Sequence, residues 1–144
     1  MLEYSARFTP DREAGGFVVT FPDIPEAITQ GDTEQQAIEY ACDVLQMALA
    51  TYMRRGLEVP TPRKLRGKNY RTISLPALAE AKLSLYVALH QAGLSKADLA
   101  RRLRCRKSEV DGLLDPGRPS ALEVIEAALR VVGKRLVLSL EDAA

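Results

Sequence analysis

Tryptophan is absent from the 144 residues, histidine occurs once and cysteine twice, and phenylalanine only three times. Each shortage removes a class of chemistry. Cys42 and Cys105 stand one in each half without framework spacing, so reduced thiols in a cytoplasmic chain are expected rather than a disulfide scaffold. One histidine, His90, and two scattered cysteines cannot complete a His/Cys zinc site. No apolar run approaches the roughly 20 residues of a membrane-spanning helix, so no membrane partner is expected. Residues 1–10 alternate polar and apolar and hold Glu3 and Arg7, unlike a secretory leader. Gly-rich phosphate loops and nucleophile elbows are also missing. The sequence therefore predicts no cofactor, no metal and no catalysis.

Net charge is nearly absent too, but its near-zero sum hides a division. The formal net charge is +1. Residues 1–62 carry 4 basic and 10 acidic side chains, net −6, whereas residues 63–144 carry 16 basic and 9 acidic, net +7. Such asymmetry points to two modules with differently charged partners, one of them nucleic acid. Each half is near the lower size limit for a stable core, so oligomerisation is expected to contribute.

In the first half, Leu2, Tyr4, Ala6 and Phe8 alternate with Glu3, Ser5, Arg7 and Thr9, the period of a half-buried strand. Turn chemistry over Pro10–Gly16 leads into Phe17–Phe21, a second strand paired as a hairpin. Pro22-Asp23-Ile24-Pro25 forms an irregular corner, and Ala27–Gln30 a short third strand ending at Gly31. Thr33-Glu34-Gln35-Gln36 has the form of a capping box. It opens a helix with Ile38, Ala41, Leu45, Ala48, Leu49 and Tyr52 on one stripe, closed near Gly56. After the connector Val59–Pro62, Tyr70–Leu75 reads as a further strand, giving β-β-β-α-β over a domain of residues 1–75.

The second half, residues 76–144, changes to a helical period. Leu78–Ala92 is one helix, with His90 packed in its core or its last turn. Ser95-Lys96-Ala97-Asp98 is another capping box, opening a short helix to about Leu103. The turn Arg104–Lys107 leads into a second short helix bearing Val110, Leu113 and Leu114. Ser120–Glu123 is expected to cap a last helix, Leu122–Val132. Leu136, Leu138 and Leu140 then alternate with Val137 and Ser139, a strand without a neighbour in its own domain. Because lone strands leave backbone groups unpaired, a second copy is the expected partner, in a homodimer or higher homo-oligomer built on those three leucines. The alternative is that the strand packs back on the sheet of its own chain.

Short helix, turn, short helix over residues 95–114 is the pattern of a helix-turn-helix. That element lays its second helix in the major groove with the N-terminal residues at the base edges. Here those are Arg106, Lys107, Ser108 and Asp111, preceded by Lys96, Arg102 and Arg104. Five cations within residues 101–107 make a field suited to phosphate. Leu99, Ala100, Leu103, Val110, Leu113 and Leu114 supply the packing between two crossed helices. Cys105 is read as a packing thiol, although cationic neighbours are expected to lower its pKa.

Taken together, these segments resemble a HicB-type antitoxin of the bacterial HicA–HicB toxin–antitoxin systems, over nearly the whole chain. The resemblance rests on Gly16-Phe17-Val18-Val19-Thr20-Phe21-Pro22-Asp23-Ile24-Pro25, on Gly31-Asp32-Thr33 entering a helix, and on Pro60-Thr61-Pro62. In the second half it rests on Leu99 through Leu114, on Leu122–Leu129 and on residues 133–140. It departs from the family at Glu26-Ala27, where Gly-Cys is frequent, at Arg104, where glycine is usual, and at Arg106, where a serine cap is frequent.

The resemblance implies an α+β fold: a partial RNase H-like N-terminal domain followed by a small all-helical helix-turn-helix domain. It implies that the first domain silences an mRNA-cleaving HicA-type toxin and that the second represses the operon by holding operator DNA. Asp23, Glu26, Asp32 and Glu34, near the strand–helix corner, are the candidate toxin contacts. An active RNase H site needs several carboxylates converging on metal, and the first strand offers only Glu3. The rival reading is a transcription regulator whose N-terminal domain senses a ligand or another protein.

Overall fold

Alternation in the first strand produces a sheet with one wet and one dry face. The structure, a computed structural model, describes residues 2–143. Residues 1 and 144, at the outer ends of the two expected domains, lie outside the described residues. Strands β1 (Glu3–Pro10), β2 (Phe17–Thr20), β3 (Ile28–Gly31) and β4 (Tyr70–Ser74) form one antiparallel sheet in the order β3-β2-β1-β4. Register sets Tyr4 opposite Ile73 and Phe8 opposite Val19, so cross-strand pairs of buried side chains line one face.

Helix α1 (Glu34–Arg54) lies on that face with Ala37, Ala41, Leu45, Leu49 and Met53 turned inward. The helix is rotated slightly from the expected stripe, because Ile38 is 40% exposed and Ala37 is buried instead. The reason lies at Gly31. A Cβ there would meet the Ala37 backbone N at 2.5 Å, so strand and helix approach too closely for a larger inward side chain. Thr33 caps α1 as expected, its hydroxyl accepting from the Gln36 N–H at 3.1 Å. The returning bond from Gln36 Oε1 takes the Asp32 N–H at 2.7 Å, one residue before the cap.

Ser5 departs from the alternation. It was expected on the wet face with Glu3 and Arg7, but it is 3% exposed. Its hydroxyl donates to Arg63 O and accepts from the Leu65 N–H, both at 3.0 Å, so the loop after α1 covers it. Neighbouring Tyr4 donates to Pro60 O at 2.7 Å. Burial first, then the charge of Asp23 and the nearby Tyr52, pushes the Tyr4 phenol up to about 12.

The second half is helical: α2 (Ala77–Gln91), α3 (Lys96–Leu103), α4 (Lys107–Leu113) and α5 (Leu122–Val131). Leu83, Leu85, Tyr86, Leu89, Leu99, Val110, Leu113, Ile125 and Leu129 continue the core begun by the sheet and α1. The overall class is mixed α and β, with one four-stranded antiparallel sheet and five helices among the described residues. None of these helices is long and apolar enough to cross a membrane.

One local expectation changes in this half. Helix α5 begins at Leu122, so Ala121 occupies the N-cap and no side chain caps it; Ser120 falls one residue too early. His90 takes the second of its two expected places, exposed in the last turn of α2 with its ring tilted against Tyr86 at 4.5 Å between centroids. Arg135–Leu140 forms no strand with any described segment of the same chain. Leu136 is half-buried in a groove beside Leu2, Val87 and Leu129, whereas Leu138 and Leu140 are 77% and 95% exposed.

Candidate functional site

Two regions collect the side chains singled out by the sequence. The first is the junction of α3 and α4. Ser95 caps α3, its hydroxyl accepting from the Asp98 N–H and its own N–H donating to Asp98 Oδ2, both at 3.0 Å. The Ser95 backbone N–H first, then the Ser95 hydroxyl and the Arg101 guanidinium at 2.6 Å, hold the Asp98 carboxyl down at about 2.

The turn between the helices spans Arg104–Arg106, one residue shorter than expected, since Lys107 is already helical. Arg104 sits in the left-handed region at φ 56°, the one non-glycine with positive φ among the described residues. Its N–H donates to Arg101 O at 3.2 Å and the Cys105 N–H to Ala100 O at 3.0 Å, the paired bonds of a Schellman closure. This explains why glycine is the usual residue there.

Leu99, Ala100, Val110, Leu113 and Leu114 are buried between the helices, with Leu103 half-buried. Lys96 and Asp111, both expected at DNA, pair with each other at 3.1 Å and tie the start of α3 to α4. Arg106 occupies the N-cap of α4 without a side-chain cap bond, and its guanidinium reaches Glu109 at 3.4 Å. Arg102, Arg104, Lys107 and Ser108 are exposed, and none of the three cations has a carboxylate within 4.0 Å among the described residues. Cys105 is half-buried, as a packing thiol should be. Burial, followed by nearby Glu109, raises its pKa, the reverse of the expected effect of its basic neighbours.

The second region is the acidic corner. Asp23 has a side chain only 8% exposed and receives both the backbone N–H and the Nε–H of Arg63, at 2.8 and 2.5 Å. Glu26 receives the Tyr52 hydroxyl at 2.8 Å, a bond that raises the pKa of that phenol. Glu34 pairs with Arg71 at 3.1 Å, and the same guanidinium lies 5.9 Å above the Phe8 ring. Asp32 is exposed, and its carboxylate has no ion-pair partner among the described residues.

Three of the four acidic candidates therefore bond other segments of the same chain, and nothing near them in the sequence marks their partners Arg63, Tyr52 and Arg71. On the outer side of α1, Glu39 and Asp43 are exposed beside Tyr40 and Met47, which are 43% and 69% exposed. Those residues follow from the helical period, as the positions left over once the buried stripe is drawn. Among the described residues, no three His, Cys, Asp or Glu side chains gather in a metal-holding geometry.

Residues 3–84 match a family described as the HicB-like antitoxins of bacterial toxin–antitoxin systems. The match covers the sheet, α1 and the first half of α2. The chain is 36% identical over 143 residues to Antitoxin HicB of Pseudomonas fluorescens (strain Pf0-1), which spans 99% of this chain and 97% of the relative. It is 33% identical over 137 residues to Antitoxin HicB of Escherichia coli (strain K12), covering 95% of this chain and 98% of the relative. Antitoxin HicB 1 of Photorhabdus laumondii subsp. laumondii is 33% identical over 140 residues, 97% of this chain and 88% of its own. With likeness running from β1 to the last residues, the chain belongs to the HicB-like antitoxins.

Proposed function

We propose that this antitoxin silences an mRNA-cleaving HicA-type toxin through residues 1–75 and represses its own operon through residues 76–144. In this reading the sheet and α1 form a partial RNase H-like domain, and α3 and α4 form a helix-turn-helix whose second helix enters the major groove. The chain works in the cytoplasm, without catalysis, as a homodimer on operator DNA.

The observation that carries the DNA half is the group Arg102, Arg104 and Lys107, exposed around the α3–α4 turn and without ion-pair partners among the described residues. Cations not committed to the protein are available to phosphates. Arg106 and Ser108 flank them, and the Lys96–Asp111 pair joins the start of α3 to α4. For the toxin half, a protein that grips RNA must present a basic surface, and the −6 charge of residues 1–62 complements it. Asp32, Glu39 and Asp43 supply that charge outward, while Asp23, Glu26 and Glu34 shape the corner behind them. For the dimer, Val137, Leu138 and Leu140 lie in solvent in a single chain, and Leu136 is half-buried. Pairing Arg135–Leu140 with a second copy removes that apolar surface from water.

The test is co-expression with the neighbouring basic open reading frame, followed by operator titration of the purified chain. Co-purification and rescue of growth are expected for the wild-type chain. An Arg106→Ala/Lys107→Ala variant should lose operator affinity while rescue persists. Equal operator affinity in that double variant counts against the DNA assignment.

A further inference from the structure

Four of the five helices end in the same way. After α1, α2, α3 and α5 stand Gly56, Gly93, Arg104 and Gly133, each at positive φ. Each carries the paired backbone bonds of a Schellman closure, such as Gly93 N–H to His90 O and Leu94 N–H to Leu89 O. Helix α4 has no such residue: its C-cap, Leu114, is at φ −98° and nothing left-handed follows it. What remains there are turn bonds, Asp115 N–H to Gly112 O at 3.3 Å and Arg118 N–H to Asp115 O at 3.1 Å, so holding this end calls for a further donor.

Lys82 supplies it. The side chain comes from the middle of α2 and is 0% exposed. Its ammonium donates to Gly112 O at 2.8 Å, Asp115 O at 2.9 Å and Arg118 O at 2.6 Å. A lysine ammonium has three N–H groups, and all three are used. All three acceptors lie within residues 112–118, so the group serves this segment alone. Gly112 lies in the last turn of α4, and a cation at its carbonyl also opposes the negative end of the helix dipole. From the other side, Gln46 of α1 donates to Pro116 O at 3.4 Å. Volume alone does not explain Lys82, since a leucine or methionine fills apolar space without burying a charge.

We propose that Lys82 is a positioning residue that fixes the angle of α4 for operator binding, taking the place of the missing C-terminal closure. The proposal rests on the operator reading above. Lys82 touches no phosphate, because it is wholly enclosed; it acts through the segment that α4 runs into.

The experiment compares the full-length chain with Lys82→Met, well below the melting temperature of the variant. Three quantities are read: operator affinity against salt, amide hydrogen exchange, and toxin neutralisation in cells. Operator affinity should fall at least tenfold with the log–log salt slope unchanged, since no phosphate contact is removed. Exchange should accelerate at Leu114, Asp115 and Arg118, whose amides are bonded within the pinned segment, and not in β1–β4. Toxin neutralisation should persist.

A fully folded Lys82→Met chain with wild-type operator affinity overturns the proposal, as does a change in salt slope. Should Lys82→Met fail to fold, Lys82→Gln, which retains two donors, carries the same measurements. Collapse of both overturns it too, because a pin confined to residues 112–118 leaves the sheet domain intact. If the wild-type chain binds no operator, the operator reading fails, and exchange alone then decides whether Lys82 pins this segment.

Discussion

The carboxylate of Asp23 holds Arg63 by two atoms at once, the backbone N–H at 2.8 Å and the guanidinium Nε–H at 2.5 Å, across forty residues of sequence. This clamp fixes the corner after β2 against the loop after α1, and the same loop is stitched to β1 by Ser5. Charge-assisted bonds of this kind contribute about 1.5–3 kcal/mol each when one partner is buried. Asp23→Ala should therefore lower the unfolding free energy by about 2 kcal/mol, read from the midpoint of a urea titration. An Asp23→Ala chain of wild-type stability that fails to bind toxin would instead make Asp23 a direct contact.

Gly31 is required by proximity and not by backbone conformation. Gly31→Ala forces its Cβ onto the Ala37 backbone, so β3 and α1 must separate. Overpacking of this kind costs about 1–3 kcal/mol, and backbone neighbours yield less than side chains do. The melting temperature should drop, with a matching loss of toxin neutralisation. Operator affinity at low temperature should be retained, since α3 and α4 are built elsewhere.

Arg104 stores a small strain in the turn before α4. The left-handed region costs a non-glycine residue roughly 1–2 kcal/mol, part of which glycine returns as extra freedom in the unfolded chain. Arg104→Gly should raise stability by about 1 kcal/mol in thermal unfolding. If Arg104 touches a phosphate, the same variant should shallow the salt dependence of operator binding by about 0.9 in log–log slope. Greater stability with a shallower slope is the expected combination.

Asp98 makes the stability of the helical half pH-dependent. Its folded pKa, about 2, lies below the ordinary value of 3.8. Above 3.8 the ionised carboxylate contributes its full share to the α3 cap, and that share disappears as pH falls toward 2. Asp98→Asn removes the titration. The wild-type chain should melt higher than Asp98→Asn at neutral pH, and the gap should narrow as pH falls from about 4 to 2. A gap that stays constant over that window would show that Asp98 does not stabilise through its charge.

Local periodicities determined the element order, because period and cap signals act within a few residues. The alternation of Tyr4, Ala6 and Phe8, the Thr33 and Ser95 caps, and the two short helices around Arg104 were all legible from neighbours in the chain. So was the family, whose run from Gly16 to Pro25 and Gly31-Asp32-Thr33 stands in the open sequence. The tertiary structure decided which polar groups were already spent. Nothing within ten residues of Asp23 announces Arg63, and nothing near Glu26 announces Tyr52, so a charge count does not reveal the bonds these carboxylates make within the fold. Lys82 is the sharpest case. Its type points to the surface, yet it is wholly buried, because a helix end thirty residues later lacks the closure its sequence would otherwise supply. Short-range sterics and hydrogen bonding write elements into the sequence, whereas the satisfaction of buried polar groups depends on segments that meet only after folding.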